Sequence, residues 1–162
     1  MAVGGVERFS PEAERELVAE LARSVLTQAA PEELVLFPET AEEYFADPGA
    51  ALDPGRRDEA LGFGLELGML TPYALAVATG VIRFLASTVA EESKPVVARV
   101  VRHLLRRPDE APAPAAGAPP PLGAAQARQV HEVAYQRARS LGLDDDKARL
   151  LADSVVGGLV VA

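Results

Sequence analysis

Residues 67–90 read LGMLTPYALAVATGVIRFLASTVA, and their one charge is Arg83. Thr71-Pro72 looks like a helix start, a capping hydroxyl followed by a preset φ. The twenty residues after it are apolar nearly all round. Thr79, Arg83, Ser87 and Glu91 fall at steps of four, one narrow polar stripe on an otherwise greasy helix. Such a helix lies at the centre of its fold or in a bilayer.

Length alone allows the bilayer, since about 20 residues span the hydrocarbon, and the basic residues that follow would mark the cytoplasmic side. Against it, Arg83 near the middle costs on the order of 2.5 to 3.5 kcal/mol on insertion scales. The alanines, threonines and glycines around it add little to offset that. A buried helix of a soluble bundle is therefore the expectation, and membrane association or insertion through 67–90 is the rival.

Downstream, Ser93 and Pro95 open a further helix with two faces. Val97, Val100, Val101, Leu104 and Leu105 make the apolar one, and Arg99, Arg102, His103, Arg106 and Arg107 the basic one. Arg99, Arg102 and Arg106 are candidate contacts for anionic lipid headgroups, an acidic protein, phosphates or the acidic half of this same chain. Nucleic acid is not expected, because no aromatic residue interleaves with the arginines and the chain as a whole carries a net charge of −8.

Residues 108–123 are Pro/Ala-rich and read as an extended, flexible or semi-rigid linker that buries too little surface to offset ordering entropy. Beyond it Ala127, Val130, Ala134, Ala138 and Leu141 line one helix face up to Gly142. Asp144 to Asp146 then start a last helix whose apolar side holds Ala148, Leu151, Ala152, Val155, Val156, Leu159 and Val160. A hairpin of this size rarely stands alone. Its apolar faces have to be covered by the first domain, by a second copy or by another protein. Leu151, Val155, Val156 and Leu159 are accordingly the candidate docking residues.

Upstream, Ser10-Pro11 with Glu12, Glu14 and Glu16 reads as a helix start. Leu17, Val18, Leu21, Ala22, Val25, Leu26 and Ala29 then recur at helical spacing. Prolines punctuate residues 31–60, so only short elements fit there. Residues 34–37 admit either a short strand or a helical turn, and Thr40 with Glu43 predicts a capping box. In 61–69, LGFGLELGM, apolar residues alternate with glycines, but the flanking RRDEA favours helix over strand.

Few features point to chemistry. With no cysteine, thiolate metal sites and thiol nucleophiles are excluded. Gly62, Gly64 and Gly68 miss the dinucleotide fingerprint, which wants glycine where Leu67 stands and a strand before it. Asp144 to Asp146 lack the alternate spacing of a calcium loop and suit helix capping. His103 and His131 have no partner at a recognisable spacing. No cofactor, metal, small-molecule substrate or catalytic residue is therefore expected.

Residues 1–60 hold fourteen acidic and five basic groups, a net charge of −9, which argues against phosphate binding there. The N-terminus has no basic region followed by an apolar run, so a cytoplasmic location is the expectation. The reading as a whole is a mainly α chain: a helical N-terminal domain over 1–107, a linker over 108–123, and a C-terminal two-helix hairpin over 124–162. Its expected role is that of a non-catalytic adaptor or scaffold for protein-protein interaction, docking a protein partner or a second copy through 124–162.

Overall fold

The computed structural model describes residues 11–52, 70–92 and 122–159. The chain is mainly α: α1 (Pro11–Ala29), a 3-10 segment (Pro31–Leu36), α2 (Phe37–Ala46), α3 (Pro48–Ala51), α4 (Leu70–Glu92), α5 (Ala124–Ser140) and α6 (Asp145–Gly157), with no strand among the described residues. The basic segment 93–107, the glycines of 61–69 and residues 108–121 of the expected linker lie outside the described residues.

Four long helices share one core. α1 contributes Leu17, Val18, Leu21, Ala22, Val25 and Leu26, all buried at the spacing its sequence predicts. α4 is central: Ala74 to Ala78, Val81, Ile82, Leu85 and Ala86 are buried, while Thr79 and Ser87 are half-buried and Arg83 is exposed. Of the polar stripe, Arg83 thus faces outward, while Thr79 lies against Tyr44 of α2 with the two hydroxyls 3.5 Å apart. α1 packs on α4 and α6, and α5 packs on α4 and α6. Val130, Ala134, Ala138, Leu151, Val155 and Leu159 belong to the same continuous apolar cluster as α1 and α4. In this structure the hairpin's apolar face is covered by the chain's own N-terminal helices.

The start of α4 is fixed by a residue far away in sequence. The Leu70 and Thr71 amides and the Thr71 hydroxyl donate to the Glu33 carboxylate at 3.3, 2.9 and 2.7 Å. Thr71 therefore does not cap its own helix as its sequence suggested. It is the second residue of α4, and a buried anion from the 3-10 segment satisfies the otherwise orphaned first-turn donors and complements the helix dipole.

A second expectation changes for a related reason. Residues 34–37 are helical, and α2 begins at Phe37 with Pro38 in its first turn, so Thr40 sits inside the helix and makes no capping box. Two cation–π contacts, Arg15 over Phe45 at 5.5 Å and Arg23 over Phe37 at 5.0 Å, hold α2 against α1.

Candidate interaction surface

The α5–α6 hairpin is closed by contacts of its own. Asp144 accepts from the Lys147 amide at 2.8 Å as the cap of α6, and Gly142 makes the turn at φ 97°, a conformation that suits glycine. The Leu143 amide reaches back to the Ala138 carbonyl at 3.2 Å, closing the end of α5. At the other end the Gly123 amide donates to Gln126 Oε1 at 3.1 Å.

Across the hairpin, His131 Nε2 lies 2.8 Å from Asp153 Oδ1, and Tyr135 donates its hydroxyl proton to Asp145, which also pairs with Arg149 at 3.1 Å. The hydrogen bond accepted by the Asp145 carboxylate holds the Tyr135 hydroxyl above its ordinary value of 10.0. Asp144 and Asp145 are thus occupied by capping and pairing. Among the described residues no group of three acidic or histidine side chains is placed to hold a metal ion.

Toward the rest of the fold the hairpin turns a different face. Leu151, Val155 and Leu159 are fully buried and Val156 is half-buried. Arg99, Arg102 and Arg106 lie outside the described residues, so the structure does not join them to this face. At the end of α6 the approach to α1 is close: a Cβ on Gly158 would stand 3.3 Å from the Ser24 Cβ and 2.7 Å from its Oγ. A hydrogen bond from Gln28 Nε2 to the Ser154 carbonyl, at a long 3.4 Å, crosses this seam. The ion pairs described above fall within the hairpin, and Arg83 with Glu14 joins α4 to α1. The seam combines a close approach of Gly157 and Gly158 to α1 with the polar side chains of Ser24 and Gln28.

Two further features bear on function. Leu70–Ser87 is long and apolar enough to cross a membrane by length and composition, yet 61% of it is buried within the fold, as in the core helix of a bundle. Val35 and Leu36 are exposed, 84% and 43%, on the 3-10 segment. The sequence signal for them was the uninterrupted LVLF run, whose outward half cannot be told from its inward half without the packing. Glu33 and the Ser24–Gly158 approach carried no local signal at all.

No family model matches the chain, and no curated protein or solved structure matches it.

Proposed function

We propose that this chain is a non-catalytic helical interaction protein, an adaptor or scaffold whose C-terminal hairpin is its docking element. The observation that carries the reading is the division of contacts around α5 and α6. Their capping and pairing interactions close within the hairpin, while an apolar face of Leu151, Val155, Val156 and Leu159 meets α1 and α4. Among the described residues no ion pair ties this unit to α1 or α4, so its seat is held by packing. The face it offers on release is the apolar kind that proteins bind.

The pairing of the polar groups supports the non-catalytic part. Glu33 and Thr71 are spent on each other at the start of α4. His131 and Tyr135 are spent on hairpin aspartates. Cytoplasmic location and the absence of a nucleic-acid partner are part of the same proposal.

The test uses a reversible staple. Ser24→Cys with Gly158→Cys places two thiols at a Cβ separation a few tenths of an ångström short of the usual disulfide range. Oxidation locks the hairpin onto α1, and reduction frees it. The proposal expects proteins retained by the reduced full-length chain to be lost on oxidation and regained on reduction. Retention unchanged by oxidation would remove the hairpin face from the docking role.

A further inference from the structure

We propose that Val35 and Leu36 form a docking surface separate from the hairpin, and that its partner is a basic amphipathic helix of another protein. Among the described residues three large apolar side chains stand exposed, and two of them, Val35 at 84% and Leu36 at 43%, are neighbours on the 3-10 segment. Folding gains little from either in this position. Both are presented from a fixed base, since Glu33 before them is buried against Thr71 at 2.7 Å and Phe37 after them is buried under Arg23 at 5.0 Å. A contact made there needs little reordering of the backbone.

The border of the apolar pair is acidic. Residues 31–49 hold six carboxylates and no Lys or Arg, and apart from the buried Glu33 every one of them is exposed. The 3-10 segment runs directly into α2. Glu32 stands one 3-10 turn before Val35, and Glu39, Glu42 and Glu43 follow the pair at helical spacing. Among the described residues none of these four carboxylates takes part in an ion pair.

This pattern selects a partner by exclusion and by complement. Carboxylates around an apolar pair repel anionic headgroups and phosphates, and a second copy would bring the same carboxylates against these. A helix that carries Leu-like side chains beside Lys or Arg answers both features, apolar on apolar and cation on carboxylate. None of the seam residues Ser24, Gln28, Gly157 and Gly158 belongs to this surface, so it stands or falls apart from the docking hairpin.

The experiment titrates the full-length chain against a labelled Leu/Lys peptide of about 14 residues, four helical turns with Leu at spacings of three and four. Fluorescence anisotropy reads the Kd. A scrambled peptide of the same composition and a Leu/Glu peptide of the same pattern are the controls. Only the patterned Leu/Lys peptide should bind, more weakly as salt rises. Val35→Ser with Leu36→Ser should weaken binding by about tenfold or more, with the thermal melt unchanged because both side chains are exposed. Glu32→Gln, Glu39→Gln and Glu42→Gln together should have a similar effect, and Leu150→Ser, an exposed apolar residue of α6, should have none.

No binding of the patterned peptide, equal binding of the scrambled one, or full affinity in the Val35→Ser, Leu36→Ser chain would overturn the proposal. Markedly tighter binding once Arg99, Arg102 and Arg106 are changed to Gln would overturn it too, by assigning the surface to this chain's own basic segment. A wild-type dimer dissolved by Val35→Ser with Leu36→Ser would assign it to a second copy, with the same consequence.

Discussion

Glu33 accepts from the amide and the hydroxyl of Thr71 at 2.9 and 2.7 Å, tying the 3-10 segment to the first turn of the central helix. Both residues are buried, 4% and 1% exposed, so neither group has water to fall back on. Glu33→Ala leaves the Thr71 donors without a partner, at a cost of about 1 to 3 kcal/mol. Thr71→Val should cost a similar amount. Thermal melts of the singles and the double will show strong non-additivity, whereas additive effects would mean that the two side chains act independently.

Arg83 is the residue on which the sequence left the environment of α4 open, and its surroundings are now specific. Its guanidinium is 67% exposed and pairs with Glu14 at 3.0 Å. Exposed pairs of this kind are worth about 0 to 1 kcal/mol. Arg83→Leu should therefore shift stability by no more than that and leave the protein in the high-speed supernatant. Transfer of a folded Arg83→Leu variant to the membrane fraction would favour the membrane rival.

Much of this was legible because it is periodic. The buried faces of α1, α5 and α6 follow from spacings of three and four, and the exposed Arg83 belongs to the polar stripe of Thr79, Arg83, Ser87 and Glu91 that is visible in the sequence of α4. Capping by Asp144 and the Gly142 turn are local chemistry, readable within four residues. What could not be read depends on distant contacts. Thr71 carries the same cap-and-proline signature whether it caps itself or donates to Glu33. The seat of the hairpin depends on Ser24, Gln28, Gly157 and Gly158 meeting across the fold, and small residues leave no hydrophobic pattern to announce a close approach.

Position within the seam should grade the effect of a charge. Val155 is fully buried, so Val155→Asp places a carboxylate where an unpartnered polar group costs about 2 to 7 kcal/mol, and the variant should lose its cooperative transition. Val156 is half-buried and Gln129 is exposed on α5, so Val156→Asp should destabilise less and Gln129→Asp least. Equal melting of all three variants would contradict the orientation of α5 and α6.

Tyr135 offers a spectroscopic report on the hairpin. Its hydroxyl is held above 10.0 because it donates a hydrogen bond to the Asp145 carboxylate, which keeps the proton on the tyrosine. Stability from this contact is present below the ordinary tyrosine pKa and is lost as pH rises through the raised value. In an ultraviolet titration, subtracting a Tyr135→Phe variant isolates this tyrosine. Asp145→Asn should move its midpoint down toward 10.0, and an unmoved midpoint would remove the cross-hairpin contact.

Loss of the hairpin should be felt by the whole core. A chain ending at Arg107 uncovers the faces of α1 and α4 on which α5 and α6 pack. It should bind a hydrophobic dye and melt without a sharp transition. A 1–107 fragment that melts as cooperatively as the full chain would make the seam energetically idle.

The central claim, that the hairpin seats on α1 through a close seam, is tested most directly by the yield of a disulfide between Ser24→Cys and Gly158→Cys in the full-length chain at low concentration. The account predicts near-complete intramolecular bonding under mild oxidation, counted as loss of free thiol, with stability raised by about 2 to 4 kcal/mol. Two thiols that stay freely reactive in a folded chain would contradict it, because the close approach of position 158 to Ser24 puts the two thiols within reach of each other.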